Sequence, residues 1–157
     1  RAAVRRVWPD RLTLTVVERE PLARWGEADV ISRRGETFRP SAASIPEGLP
    51  VLEGPPGRAQ ALAARYRELE RALAPTGLGV RRLAQDARRS LRLELSNGIE
   101  LRLGGKAVQA RLARFVRSYA PALARRAEGI RYVDLRYTNG FAVGWAAGSA
   151  PQAPGRG

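Results

Sequence analysis

The sequence predicts an α+β domain, in which a mostly antiparallel sheet has two main helices packed on one face. Two pairs of short apolar runs each flank an Asn-Gly dipeptide, Asn97-Gly98 and Asn139-Gly140, which is a strong short-range signal for a β-hairpin. Two further segments, residues 58–73 and 107–119, repeat apolar residues at helical spacing. Each hairpin would have one apolar face and each helix one apolar stripe. We therefore expect the helices to cover a shared apolar face of the sheet.

The first of these hairpins is predicted around a three-residue loop, Ser96-Asn97-Gly98. This loop length puts the apolar residues of both strands on one face. The expected apolar pairs are Leu95 with Ile99, Leu93 with Leu101, and Leu91 with Leu103. The expected pairs on the other face are Arg92 with Arg102 and Glu94 with Glu100. Unlike charges would then meet only diagonally, so we expect that face to be solvated.

The second hairpin is predicted within residues 131–145, around Thr138-Asn139-Gly140. A two-residue loop would oppose apolar to polar residues, whereas a three-residue loop gives one apolar face. The preferred pairs are Tyr137 with Phe141, Leu135 with Val143, and Val133 with Trp145. That turn requires Gly140 in the left-handed region. The last strand should be an edge strand, whose unpaired backbone groups a partner could use.

The remaining elements follow from shorter patterns. Residues 2–19 predict a hairpin with a turn at Pro9-Asp10, and residues 22–53 predict short strands separated by loops. Residues 79–103 predict three strands, the last two of which form the first Asn-Gly hairpin. Pro121 is expected to end or kink the second helix.

Composition restricts the possible chemistry, because the 157 residues contain no Cys, His or Met. Thiolate and imidazole catalysis, disulfides and the common zinc and haem ligands are therefore excluded. The acidic residues form no spaced set suited to paired-carboxylate or metal catalysis. We expect no enzymatic activity, no metal and no cofactor. No run of about 18 apolar residues suggests a transmembrane helix within this sequence, and the start at Arg1 suggests part of a longer protein.

The formal net charge of +13 has two interpretations. It suggests an anionic partner, such as nucleic acid, acidic lipid or an acidic protein surface, or it reflects a GC-rich genome that uses Arg at solvated positions. The basic cluster of Arg81-Arg82 and Arg88-Arg89 lacks the interleaved aromatic residues that nucleic-acid stacking would need, so taken alone it is better explained as solvated strand edges. Tyr137 and Trp145 are either core residues or partly exposed anchors for a partner.

Several runs along the chain resemble one known family. They are Val7 to Leu12, Pro21 to Trp25, Arg88 to Ser90, Leu112 to Val116, and Tyr132 to Trp145. In this order they resemble the bacterial divisome family FtsQ, called DivIB in other lineages, over residues 2–146. The resemblance implies that residues 1–20 are the C-terminal hairpin of a POTRA domain whose remainder is missing. It further implies an FtsQ-type β domain over residues 21–147 and a disordered Ala/Pro/Gly tail over residues 148–157.

The family resemblance implies a non-catalytic scaffold that links early and late cell-division proteins at the septum. Full-length members have one helix in the inner membrane and their folded domains in the periplasm. The implied partners are FtsB and FtsL, with FtsK, FtsW, FtsI and FtsN as further divisome partners, and nucleic acid is not among them. The alternative from composition is a basic domain that binds nucleic acid or an anionic membrane surface.

The resemblance also implies a site, because in this family FtsB adds a strand to the last β-strand, which here matches residues 141–145. The expected partner-binding residues are Arg88, Arg89, Arg136, Tyr137, Asn139, Gly140, Phe141, Gly144 and Trp145. Tyr137 and Trp145 would be apolar anchors, and Arg88 would pair with an acidic residue of FtsB. Asn139 departs from the small residue often found at this position in the family, and Phe141 replaces a smaller residue of some relatives.

Overall fold

The computed structural model describes residues 2–7, 11–16, 19–41 and 44–150, and side chains from residue 19 onward. The strands in these ranges are β1 (Ala2–Val7), β2 (Arg11–Val16), β3 (Pro21–Trp25), β4 (Asp29–Ser32), β5 (Thr37–Phe38), β6 (Val51–Glu53), β7 (Val80–Gln85), β8 (Leu91–Leu95), β9 (Glu100–Gly104), β10 (Ile130–Asp134) and β11 (Ala142–Trp145). The helices are α1 (Ala59–Leu73) and α2 (Val108–Ser118), with shorter helical turns at Ala74–Thr76, Tyr119–Leu123 and Ala124–Gly129.

Nine of these strands form one sheet in the order β11-β10-β9-β8-β7-β6-β3-β4-β5. Five neighbouring pairs are antiparallel and three are parallel, which confirms the mostly antiparallel α+β fold. Strands β1 and β2 form a separate antiparallel pair, as predicted. Its Pro9-Asp10 turn lies outside the described residues, as do residues 151–157 of the predicted tail.

The core lies between the sheet and the two helices. Helix α1 contacts β6 and β7, α2 contacts β9, and the helices contact each other. Along β8 the side chains of Leu91, Leu93 and Leu95 are buried while Arg92 between them is exposed, so alternation places one face inward. The largest fully buried side chains are Phe115, Ile31, Leu52, Leu62, Leu69, Leu73, Leu83, Leu93, Leu95, Ile99, Leu101 and Leu103. The predicted apolar face of the first hairpin and the apolar stripes of both helices are thus confirmed.

The first Asn-Gly hairpin forms as predicted, with one irregularity. Leu93 lies opposite Leu101, and Gly98 closes the loop with φ of 85° while its N–H donates to the Leu95 carbonyl over 2.9 Å. Leu91 pairs with Gly104 instead of the expected Leu103, because a β-bulge shifts the register there.

The charged face of this hairpin pairs differently from the expected diagonals. Glu100 accepts from its strand neighbour Arg102 over 2.6 Å. Glu94 lies 3.8 Å from Arg82 on the adjacent strand β7. The expected partner of Glu94 was Arg102 on the other strand of the hairpin. Its actual partner, Arg82, lies on the neighbouring strand β7.

The predicted register of the last hairpin is wrong. Val133 lies opposite Val143 and Asp134 opposite Ala142, so neither the three-residue nor the two-residue loop forms. The strands are joined by a longer connection, residues 135–141. Gly140 is not among the residues with positive φ, so the expected left-handed turn is absent there. The physical reason is that side chains of α2 bind the carbonyl groups of this connection, as described below.

Helix α2 ends near the predicted position and leads back to the sheet through two turns. A π-helical turn, Tyr119–Leu123, contains Pro121, and a 3-10 turn then reaches β10. The ring centroids of Phe115 and Tyr119 lie 5.4 Å apart under the sheet. Among the described residues, no helix is long and apolar enough to cross a bilayer.

A candidate partner-binding edge of the sheet

Strand β11 is the terminal strand of the nine-stranded sheet, paired on one side with β10. The Ala146 N–H donates to the Gly129 carbonyl over 2.8 Å, toward the β10 side. Backbone groups alternate in direction along a strand, so those of Ala142 and Gly144 also point toward β10. Those of Val143 and Trp145 must then point away from the sheet.

A second hydrogen bond supports this alternation. The Leu135 N–H donates to the Arg102 carbonyl of β9 over 3.0 Å. The backbone N–H and C=O groups of odd-numbered residues in β10 therefore point toward β9, and those of Tyr132 and Asp134 point toward β11. Within the part of the chain that the structure describes, no other strand pairs with the outer side of β11. Val143 and Trp145 thus present unpaired backbone groups at an open edge.

The side chains on this edge form an apolar strip. Phe141, Val143 and Trp145 are each half-buried and pack against the core. Val143 lies opposite the buried Val133, so the strip belongs to the helix-covered face of the sheet. Tyr137 differs, because 58% of its surface is exposed. Of the two aromatic residues whose position the sequence left open, Trp145 is a partial core residue and Tyr137 projects into solvent.

Gly144 has a packing role that the sequence pattern did not reveal. It lies opposite Tyr132, and a Cβ atom at Gly144 would lie 2.1 Å from the Tyr132 Cε1 atom. The Tyr132 ring in turn lies under the Arg102 guanidinium, whose Cζ is 3.8 Å from the ring centroid. Gly144 therefore makes room for a Tyr–Arg stack on the face of the sheet away from the helices.

The connection between β10 and β11 is held by two arginines of α2. The Arg111 Nη2 donates to the Arg136 carbonyl over 2.9 Å. The Arg114 Nη1 donates to the Thr138 carbonyl over 2.7 Å, and its Nη2 donates to the Tyr137 carbonyl over 3.1 Å. These carbonyl groups therefore turn toward α2 rather than across to another strand, which explains why the predicted hairpin register fails.

Asp134 and Arg136 form a charged pair at the end of β10. The Arg136 Nη2 lies 2.6 Å from Asp134 Oδ2, and Arg136 Nε donates to Oδ1 over 2.9 Å. The Arg136 hydrogen bond is the main cause that lowers the pKa of the Asp134 carboxyl below its ordinary value, against burial that raises it. Arg136 itself remains exposed, so a partner carboxylate could reach it.

Arg88 and Arg89 lie in the exposed turn between β7 and β8. The Ser90 N–H donates to Asp86 Oδ1 over 2.8 Å and the Arg89 N–H to the Asp86 carbonyl over 3.0 Å, which closes the turn. Arg89 has φ of 64°, in the left-handed region. Neither arginine side chain is within 4.0 Å of a carboxylate of the described residues.

The structure brings most of the predicted site residues to one end of the sheet. A Cβ at Gly105 would lie 3.1 Å from the Arg89 carbonyl oxygen, and one at Gly104 would lie 3.4 Å from Arg136 Cγ. The Arg88-Arg89 turn and the exposed residues Arg136, Tyr137 and Asn139 therefore share this end. Trp145 lies at the other end of β11, opposite Ile130.

A mixed-charge cleft lies on the uncovered face of the sheet. Its lining includes Arg92, Glu94, Glu100, Arg102 and Tyr132. Glu94 and Glu100 are paired with arginines on the same face. No group of three or more His, Cys, Asp or Glu residues in the described ranges could hold a metal ion.

The fold and this edge define an α+β domain with an open terminal strand and a candidate protein-binding surface. The family model for the C-terminal part of the cell division protein FtsQ/DivIB matches residues 23–136. The chain therefore belongs to the FtsQ/DivIB family of cell division proteins. The matched region ends at Arg136 and does not include β11.

Known relatives agree with this assignment. The FtsQ of Allochromatium vinosum is 46% identical over 145 residues, covering 92% of this chain and 58% of the relative. The FtsQ of Xanthomonas campestris is 45% identical, covering 90% and 51%. The FtsQ of Escherichia coli K12 is 42% identical, covering 92% and 54%. The chain thus spans between half and three-fifths of the length of these relatives.

Proposed function

We propose that this chain is the partner-docking part of a non-catalytic divisome scaffold, which binds FtsB, together with FtsL, by strand addition to β11. The observation that carries the proposal is the open edge of β11, where the backbone groups of Val143 and Trp145 point away from the sheet. Residues 1–20 would close a POTRA domain and residues 21–147 would form the docking domain. The full-length protein would be anchored in the inner membrane, with this part in the periplasm at the septum.

Strand addition at this edge supplies only part of the binding free energy. Hydrogen bonds to the backbone groups of Val143 and Trp145 would each contribute about 0.5–1.5 kcal/mol net. They do not depend on which side chains the partner carries. Specificity must therefore come from neighbouring side chains. The half-buried apolar strip of Phe141, Val143 and Trp145 favours a partner strand with apolar residues at alternate positions.

The position of the arginine turn constrains the path of the partner. The Arg88-Arg89 turn precedes β8, which is separated from β11 by β9 and β10. At about 4.8 Å per strand, the turn lies roughly 14 Å from the open edge. A strand beside β11 alone cannot reach it. The bound FtsB segment should therefore continue past Tyr137 and bend across this end of the sheet, with acidic residues facing Arg88, Arg89 and Arg136.

The test is calorimetry with an FtsB carboxy-terminal peptide from the same bacterium and the full 157-residue chain. Tyr137→Ala should weaken binding by about 2 kcal/mol or more, as expected of a central aromatic anchor. Because Tyr137 is 58% exposed, its loss should leave the unfolding transition nearly unchanged. Tyr137→Phe is the matched control, since it keeps the ring and removes only the hydroxyl group.

Trp145→Ala should also weaken binding by about 2 kcal/mol or more. Because Trp145 packs partly against the core, the change should lower stability as well, so affinity must be measured well below the unfolding transition. Unchanged affinity in both alanine variants would count against docking at this edge.

The net charge of +13 supports a second candidate, a basic domain that binds nucleic acid or an anionic membrane. Binding of this kind would fall steeply with salt and would be spread over many arginine positions. Docking of FtsB should instead tolerate moderate salt and depend on Tyr137 and Trp145. Further divisome proteins, including FtsK, FtsW, FtsI and FtsN, are proposed as partners of the whole protein only.

A further inference from the structure

Four successive carbonyl groups of the β10–β11 connection, from Leu135 to Thr138, accept hydrogen bonds from α2. Arg111 Nη2 binds the Arg136 carbonyl over 2.9 Å. Arg114 binds the other three carbonyls, at distances of 3.4, 3.1 and 2.7 Å. In an extended strand successive carbonyls point to opposite sides. The arginines therefore hold this segment, which we call the docking loop (residues 135–138), in a curled conformation.

The path of Arg111 to the docking loop depends on Gly104. Arg111 Nη1 also donates to the Leu103 carbonyl over 2.7 Å, so its guanidinium joins the end of β9 to the docking loop. A Cβ at Gly104 would lie 2.8 Å from this Nη1. Gly104 is the residue of β9 that pairs with Leu91 at the β-bulge. Because it has no side chain, the Arg111 guanidinium has room to pass.

The hydrogen bonds of Arg114 to the docking loop leave one of its nitrogens without a partner. Both terminal nitrogens donate to loop carbonyls, while its buried Nε has no hydrogen-bond partner among the described residues. A buried donor without a partner costs about 1–3 kcal/mol. The fork geometry needed for several carbonyls at once is specific to arginine, because a lysine ammonium cannot span them.

The geometry points to Arg111 and Arg114 as positioning residues for partner docking, an inference that rests on the proposed function. Tyr137, the exposed anchor, has little packing of its own to fix it. Its backbone is fixed instead through its carbonyl bond to Arg114. A flexible docking loop would lose conformational entropy when the partner binds. Because the arginines order the loop beforehand, this loss is not part of the binding step. Without the arginines, only a fraction of molecules would present Tyr137 correctly, and apparent affinity would fall by that fraction.

The first measurement is the affinity of the FtsB carboxy-terminal peptide for the full chain carrying Arg114→Lys, which keeps the charge but not the fork. We expect about tenfold weaker binding or more. Arg117→Lys is the matched control, because Arg117 is an exposed arginine of the same helix and donates to none of the loop carbonyls. It should change affinity by less than about twofold. Arg111→Lys provides a second variant if Arg114→Lys does not fold.

A double-mutant cycle separates positioning from general stabilisation. If Arg114 acts through Tyr137, the two substitutions are not additive. Arg114→Lys should then weaken binding by about twofold or less in a Tyr137→Ala background. A merely structural role would lower the unfolding temperature, leave the affinity of folded protein unchanged, and give no coupling to Tyr137.

The outcomes distinguish the inference from the function on which it rests. Weak binding by Arg114→Lys, normal binding by Arg117→Lys and coupling to Tyr137 support the positioning role. If the wild-type chain binds the peptide and Arg114→Lys and Arg111→Lys bind it equally well, the positioning role is refuted and the docking function stands. If the wild-type chain does not bind the peptide, the docking function fails and the positioning role fails with it.

Discussion

Gly144→Ala tests the packing at the docking edge by adding a single methyl group. Its Cβ would lie 2.1 Å from Cε1, 2.3 Å from Cζ and 2.6 Å from Cδ1 of the Tyr132 ring. Backbone conformation is not the obstacle, because Gly144 is not among the residues with positive φ. The ring must leave its place under the Arg102 guanidinium. Overpacking costs about 1–3 kcal/mol and the lost cation–π contact about 0.5–1 kcal/mol.

A smaller opposing effect reduces this cost. Replacing Gly with Ala stabilises by about 0.4–1 kcal/mol through the unfolded state, so we expect a net loss of about 1–3 kcal/mol in the free energy of unfolding. Urea unfolding of the full chain measures it. The matched control is Gly140→Ala, where a Cβ would meet nothing within 4 Å, so the unfolded-state effect should leave this variant as stable as wild type or up to about 1 kcal/mol more stable. Equal stability of the two variants would refute the Tyr132 packing argument.

Two further predictions concern the end of β10 and the core. Asp134→Asn should lower stability at neutral pH by about 1–2 kcal/mol, since it weakens the hydrogen bonds from the exposed Arg136. Because folding lowers the pKa of Asp134, its contribution is complete above the unfolded-state pKa and is lost as pH falls through the folded-state pKa. The difference between wild type and variant in urea unfolding should therefore shrink below about pH 4, and a constant difference down to pH 2 would contradict this linkage. Leu101→Ala should cost about 2–5 kcal/mol in the same assay, because its fully buried side chain lies between sheet and helices; a loss below about 1 kcal/mol would contradict its place in the core.

The two Asn-Gly dipeptides show how far local sequence determines this fold. At Asn97-Gly98 the alternating apolar pattern and the left-handed glycine agree, and the predicted loop forms. At Asn139-Gly140 the same local signal is present, but the predicted register is wrong. Local patterns were sufficient at the first loop, where the backbone hydrogen bonds that close the loop join the two strands to each other. They were insufficient where another element competes for the backbone.

That competing element could not be identified from periodicity. Arg111 and Arg114 lie on α2, which the sequence predicts, and their spacing marks an outer face of the helix. Nothing in that pattern shows that their guanidinium groups reach carbonyls of residues 135–138, more than 20 positions later. Hydrogen bonds from long side chains to a distant part of the backbone produce no periodic residue pattern from which they could be predicted.

The site was predictable in part. The terminal edge strand follows from a hairpin near the end of the domain, and it is present. The sequence pattern left Tyr137 open between a core residue and a partly exposed anchor, and the structure exposes 58% of its surface. The role of Gly144 against Tyr132 requires knowledge of the register, since the two residues are opposed only because Val133 pairs with Val143. That the backbone N–H and C=O groups of Val143 point away from the sheet likewise follows from hydrogen bonds that only the folded backbone shows.

The most direct test of docking at the open edge is amide hydrogen exchange, with and without the FtsB peptide. In the free chain, the Ala142, Gly144 and Ala146 amides should exchange slowly, because they face β10, while those of Val143 and Trp145 should exchange rapidly. On binding, Val143 and Trp145 should slow by about tenfold or more, as new hydrogen bonds form at the edge. Tight peptide binding that leaves these two amides exchanging as fast as before would contradict strand addition to β11.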